Sequence, residues 1–268
     1  MSIAIFGASG RLGEYLVKFF KKKKIKIFSL GKKNNNYIIN FGKQDEIKKF
    51  LNLNKPDEII NCVGSTNVNK CNKNYNFAKK KNFITAKNIS KSLIIFKRKI
   101  HLIHISTDQV YNSNNNIESK IRLTNNYGKS KYLGEKEILK YKFHTILRTN
   151  FYGPLMSKKN LSFSDFILKQ LKNKKKIKVP DNIYFNPIKL KKLCQIILKI
   201  KNKKIYGTYN LGGKRITKFN FAIKIAAKNN LNKNLIIPYK SKLKEHLRPL
   251  NTSMNCIKLE KKLKLKLN

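Results

Sequence analysis

Tyr127 and Lys131 stand four residues apart in "NNYGKSKYLGE" (125–135), a stretch expected to be helical. Four residues is close to one helical turn, so the two side chains project from one face. An ammonium near a phenol stabilises the phenolate and draws the phenol's pKa down from about 10 towards the range of a working acid or base. In a chain this rich in lysine, the spacing alone carries little weight. Upstream, "HISTDQVY" ends an apolar run with Ser106, Thr107 and Asp108. Hydroxyls there lie at the carboxyl end of a strand, where open α/β sheets bind ligands. Such a hydroxyl can hold a carbonyl oxygen while Tyr127 protonates it, or it can be an ordinary strand-end hydroxyl.

A second constellation precedes it. "GASGRLG" sets Gly7, Gly10 and Gly13 at Gly-x-x-Gly-x-x-Gly spacing between an apolar strand and a helix. Gly7 permits the sharp turn, Gly10 lets backbone approach a pyrophosphate, and Gly13 lets the helix pack closely, with the helix N-terminus attracting negative charge. This is the expected position of a dinucleotide fingerprint. The second strand runs into "SLGKKN", where Lys32 and Lys33 stand and a carboxylate for the ribose 2′-hydroxyl does not. Cations there favour NADP(H), with NAD(H) as the alternative.

The elements that must position these groups follow in alternation. Apolar strands at "IKIFSL", "DEIINCVG", "KIHLIHIS" and "FHTILRTN" are separated by helical patterns near 45–53, 73–96 and after 125. Alternation of this kind predicts parallel pairing and right-handed crossovers. The expected architecture is α/β, a doubly wound parallel sheet over residues 1–150. A smaller mixed α/β lobe, interleaved with the first, is expected over 151–268.

The net charge of +48 comes from 61 Lys and Arg against 13 Asp and Glu. The lysines are spread through almost every segment rather than gathered in an arm or aromatic-flanked strip, so no specific nucleic-acid partner is expected. The Lys, Asn and Ile bias fits the codon habit of an AT-rich genome. Four scattered cysteines without Cys-x-x-Cys spacing suggest reduced thiols in a cytoplasmic protein. His101 and His104 fall on opposite faces of their strand, and no metal site is expected. No apolar run approaches the roughly 20 residues of a membrane span.

Taken together, "GASGRLG", "STDQVY", "YGKSKYLGE" and "ILRTNFYGP" resemble the extended short-chain dehydrogenase/reductases. More narrowly, "PDEIINCVGSTNVNKCN" and "RPLNTSMNCIKLEKKL" resemble elements of the dTDP-4-dehydrorhamnose reductase family, in the family's order from Ile3 to about Leu265. The resemblance implies a Rossmann-like fold and NAD(P)H-dependent reduction of the 4-keto group of a deoxy-sugar nucleotide, in cell-surface polysaccharide biosynthesis. It makes Tyr127 the proton donor, Lys131 its pKa-lowering and ribose-binding partner, and Thr107 the substrate-polarising hydroxyl. Gly10, Arg11 and Leu12 would line the pyrophosphate, in a cofactor site that includes Gly7 and Gly13. Asn40 and Phe41 would lie near the adenine, and Cys62, Val63 and Gly64 beside the cofactor. Thr107, Asp108, Phe151 and Arg248 would meet the sugar nucleotide. Gln109, Asn69 and Phe151 depart from the family's Tyr, Asp and Trp, and these departures bear on which sugar nucleotide is taken. Epimerisation or dehydration of a nucleotide sugar, or a non-catalytic regulatory subunit, are the alternatives the same resemblance allows. A homodimer is left open.

Overall fold

The computed structural model describes residues 2–32, 35–154, 161–242 and 248–267. Thus Lys33 lies outside the described residues. The first part of the chain alternates β1 (Ser2–Phe6), α1 (Arg11–Lys21), β2 (Lys26–Gly31), β3 (Tyr37–Ile38), α2 (Gln44–Asn54) and β4 (Glu58–Asn61). A broken helical run follows: α3 (Val68–Lys73), α4 (Tyr75–Ala78), a π-helical turn (Lys79–Ile84) and α5 (Thr85–Phe96). Then come β5 (His101–Ile105), a 3₁₀ turn (Asp108–Val110), α6 (Asn126–Ile138) and β6 (His144–Thr149). The helix expected over 73–96 therefore starts earlier and is interrupted at Asn74, whose side chain caps the next turn by accepting from the Phe77 amide.

Beyond β6 lie β7 (Phe151–Tyr152), α7 (Phe163–Lys172), β8 (Ile177–Pro180), β9 (Tyr184–Phe185), β10 (Ile188–Lys189) and α8 (Leu190–Asn202). These lead to β11 (Gly207–Leu211), β12 (Ile216–Thr217), α9 (Lys218–Lys228), β13 (Ile236–Tyr239) and a final helix, Ile257–Leu263. The seven-stranded sheet has the order β11-β6-β5-β4-β1-β2-β3, and all its pairs are parallel. β11 pairs with β6 residue for residue from Gly207 to Leu211, so the chain returns to the large sheet after entering the small lobe.

Period-2 side-chain alternation explains why both faces are covered. Ile3 and Ile5 pack on one face with Leu12, Leu16 and the apolar stripe of α8, while Ala4 and Phe6 pack on the other with α2, α5 and α6 residues. The small lobe has its own core, with Ile167 and Leu171 of α7 and Phe221 and Ile225 of α9 against Val179 and Phe185. The strand order reverses between β1 and β4, and the crevice at their carboxyl ends is the expected ligand position in such a sheet. Among the described residues no helix is long and apolar enough to cross a membrane.

Candidate active site

Gly7 takes φ +82°, and a Cβ there would come within 3.0 Å of the backbone of Cys62 and Val63. The turn after β1 and the turn after β4 thus close on one another at the switch point. A Cβ on Gly13 would stand 2.3 Å from the Gly7 carbonyl oxygen, so a larger residue would push α1 off the cradle. Gly10 precedes α1 without a capping side chain, leaving a helix N-terminus suited to phosphate. This cradle fits a dinucleotide.

Its flanking side chains are turned elsewhere. Arg11 donates to the Gly153 carbonyl at 3.1 Å and pairs with Asp165, tying α1 to the N-terminus of α7. Leu12 is in the core. Phe41 is buried against Phe6 with ring centroids 5.1 Å apart, and its carbonyl accepts from Asn88 of α5. Asn40 accepts from the Gly42 amide, shaping the turn after β3. Burial pushes the Cys62 thiol up to about 12, which leaves it an unreactive neighbour of the cradle.

Asn125 caps α6 by accepting from the Gly128 amide at 2.7 Å, which sets the helix start so that Tyr127 and Lys131 face the end of β5. Tyr127 is 7% exposed, and its hydroxyl lies within hydrogen-bonding reach of Thr107. Of the two candidate hydroxyls, Ser106 is already committed, since it donates to Glu135. Thr107 is the one that faces Tyr127. The expected lowering of the tyrosine's pKa is not what the structure has: burial raises it, and the Thr107 hydrogen bond only partly offsets this. The Lys131 ammonium instead donates to the Ile105 carbonyl at 2.8 Å, close beside Gly64. A phenol held protonated is the correct state for a proton donor.

Lys131 is 6% exposed, and burial lowers its pKa from 10.5 to about 8 although the charge of Glu135 opposes this. The gap corresponds to about 3 kcal/mol against the charged form. Since the unfolded lysine holds its proton up to about 10.5 and the folded one only to about 8, the penalty is full below pH 8 and fades as pH rises between these values. Lys131→Met is therefore expected to be more stable than the parent by about 2 kcal/mol at pH 7, after allowing about 1 kcal/mol for the lost hydrogen bond. Urea unfolding of both proteins from pH 7 to 10.5 checks this, and an advantage that does not shrink with pH would count against it.

Asp108 and Arg248, expected to meet substrate, are placed differently from one another. Asp108 is fully buried, accepting from Thr252 Oγ1 at 2.7 Å and Asn150 Nδ2 at 2.9 Å. It anchors the C-terminal segment over the end of β5. Arg248 is exposed and donates to Asn69 Oδ1 at 3.0 Å across the mouth of the crevice. Phe151 is half-buried against the core around α8.

Four contributors had no signal in the spacing of catalytic types. Asn82, in the π-helical turn, donates to Ser130 Oγ at 2.9 Å and accepts from the Ser65 amide at 2.8 Å, joining α6 to the turn after β4. Such turns interrupt helices at functional sites. Thr252 and Asn150 hold Asp108. Lys218 enters from the small lobe with its ammonium 3.6 Å from the Phe185 ring centroid, and burial lowers it to about 8 despite the Asp108 charge nearby. Only the Asp108 end of this arrangement was marked in the sequence.

The whole chain, residues 1–268, matches the family described as RmlD substrate binding domain. A curated relative, the spore coat polysaccharide biosynthesis protein SpsK of Bacillus subtilis, is 28% identical over 204 residues, covering 74% of this chain and 69% of that protein. A crystal structure of a dTDP-4-dehydrorhamnose reductase from Clostridium acetobutylicum superposes with a TM-score of 0.85 at 25% identity, covering 97% of this chain and 92% of that one. The Bacillus anthracis dTDP-4-dehydrorhamnose reductase in complex with NADP gives 0.87 at 24% identity, with coverages of 97% and 92%. With its glycine cradle and its Thr107, Tyr127 and Lys131 converging on one crevice, and a match along its full length, the chain belongs to the RmlD substrate-binding-domain family.

Proposed function

We propose that the protein reduces the 4-keto group of a deoxy-sugar nucleotide, dTDP-4-dehydrorhamnose to dTDP-rhamnose, in cell-surface polysaccharide biosynthesis. The carrying observation is the Tyr127 hydroxyl, buried, kept protonated and within reach of Thr107 beside the glycine cradle. A bound reduced nicotinamide would supply the hydride. The chain supplies the rest. Thr107 holds the C4 carbonyl oxygen; Tyr127 gives that oxygen its proton as the O–H bond breaks, and the phenolate left behind is favoured by the Lys131 ammonium one turn along α6. Solvent protons then restore Tyr127. The names of the Clostridium and Bacillus anthracis structures and of SpsK support this reading, and the NADP of the second supports the choice of cofactor.

Incubation with dTDP-4-dehydrorhamnose and NADPH or NADH tests it. The expected result is one reduced nicotinamide consumed per sugar reduced. Interconversion of sugars without net loss of reduced nicotinamide would point instead to an epimerase or dehydratase. Because the ammonium form of Lys131 is the one that favours the phenolate, the rate should fall as pH rises past about 8. A rate flat to pH 10 would remove Lys131 from that role.

A further inference from the structure

Where β4 and β5 reach the crevice, two polar side chains are buried together. Asn61 ends β4, His104 is the fourth residue of β5, and the parallel register sets them side by side, each 1% exposed. Asn61 Oδ1 accepts from the Val63 amide at 2.9 Å, so Nδ2 is the end that faces His104 Nδ1, 2.8 Å away. An amide nitrogen only donates, which makes Nδ1 the bare, accepting nitrogen and puts the imidazole proton on Nε2. That Nε2–H is buried and has no hydrogen-bond partner among the described residues. Burial, with the Lys131 charge, holds the ring neutral by lowering its pKa well below the ordinary value. A buried N–H left unmade destabilises a fold, and an apolar side chain would avoid it. What an apolar side chain would lose is the contact with Asn61.

Asn61 in turn holds the wall between the glycine cradle and Lys131. Turn 62–64 is tied to β1 through the Cys62 amide, which donates to the Phe6 carbonyl at 2.8 Å. Its next amide, that of Val63, is the one Asn61 takes. Gly7 closes on the same peptide, since a Cβ there would stand 3.0 Å from the Cys62 carbonyl carbon and from the Val63 nitrogen. At the other end of the turn, a Cβ on Gly64 would stand 3.7 Å from Lys131 Nζ and 2.9 Å from Asn82 Oδ1. Ile105, next after His104, gives its carbonyl to that same ammonium at 2.8 Å. A turn with Gly7 at one end and Lys131 at the other runs from the pyrophosphate side of the crevice to its reacting side.

Resting on the reading that the cradle takes a nicotinamide dinucleotide, we infer that His104 is a positioning residue for the cofactor. Its Nδ1 lone pair fixes Asn61, Asn61 fixes the Val63 amide, and turn 62–64 is thereby set where it seats the nicotinamide half beside Lys131. His104 acts through Asn61 rather than by contact with the dinucleotide. The acceptor at Nδ1, not the ring as such, is the feature the site uses.

Equilibrium binding of NADP⁺ to the full chain tests this role without any turnover. His104→Leu fills the space but offers Asn61 no acceptor, and NADP⁺ affinity should fall about tenfold. His104→Asn places Oδ1 where Nδ1 stood and should recover most of that affinity; His104→Gln, whose amide lies out at the Nε2 position, should not. Adenosine 2′,5′-bisphosphate, which lacks the nicotinamide half, should bind the parent and His104→Leu alike. Unchanged NADP⁺ affinity in His104→Leu would overturn the positioning role. So would a His104→Asn protein as weak as His104→Leu, the result expected of a ring needed only for packing. An equal loss for the bisphosphate would put the effect outside the nicotinamide half and overturn it too. Should His104→Leu fail to fold, the Asn and Gln variants decide the matter, and equal NADP⁺ affinities in those two would overturn the role. A parent that binds no dinucleotide would overturn the cradle reading and this inference with it, whereas the other adverse results leave the cradle reading intact.

Discussion

Tyr127→Phe is expected to lower kcat for sugar reduction about a thousandfold, with NADP⁺ affinity changed by no more than a few fold. Phenylalanine keeps the ring in its buried place, so the packing with Cys71 and Ala78 survives. What goes is one O–H, the proton that the C4 oxygen needs as hydride arrives. Burial raises the phenol's pKa above its usual value of 10, so the parent donates from the neutral phenol, and the variant, with no O–H to give, should stay slow on acidification if Tyr127 is the sole donor. Thr107→Val supplies the contrast. It should also cut kcat, but less, because it removes only a hydrogen bond to the carbonyl oxygen while the donor remains. Stopped-flow measurement with saturating NADPH separates the two. A Tyr127→Phe protein within tenfold of the parent would assign proton delivery to another group.

Much of this site was legible before any coordinates. Tyr127 and Lys131 could be paired because a helical turn fixes which residues share a face, and Gly7, Gly10 and Gly13 because only a turn between strand and helix uses them so. The sheet followed from the alternation of apolar strands with helical segments. What sequence periodicity cannot carry is contact across elements. Ser106 and Thr107 are adjacent, and only the arrival of Glu135 from α6 decides that Ser106 is turned to that carboxylate, while Thr107, which accepts from the Gln109 amide, faces Tyr127. The direction of the Tyr127 shift escapes the sequence for the same reason, since one-turn proximity to an ammonium is visible in sequence while burial is not. Asn82 was invisible because a π-helical turn has the composition of any helix. Lys218 was one lysine among many until the small lobe folded it over Phe185 near Asp108.

The second large effect lies beneath the catalytic pair. Glu135 and Arg148 form a buried ion pair, with side chains 1% and 5% exposed, joined at 2.6 Å through Nη2 and at 3.1 Å through Nε. Arg148 also donates to the Tyr111 hydroxyl and the Glu118 carbonyl, each at 2.7 Å, and Tyr111 passes the chain on to Asn210 of β11. One guanidinium thus links α6, β6 and the strand that returns from the small lobe. Glu135→Gln leaves that guanidinium buried without a counter-charge, and a stability loss of about 3–5 kcal/mol is expected. Replacing both partners with apolar residues, Glu135→Leu with Arg148→Met, removes the stranded charge and should recover a good part of that loss. Urea unfolding of the two singles and the double completes the cycle. A double variant as unstable as Arg148→Met and Glu135→Leu added together would mean the pair has no such coupling. The same substitution reaches the chemistry. The Glu135 carboxylate favours the charged form of Lys131 against burial, so in whatever fraction of Glu135→Gln remains folded, the alkaline fall in rate should begin below pH 8. If Glu135 merely held the fold together, the folded fraction would drop but the pH at which rate falls would stay where it was.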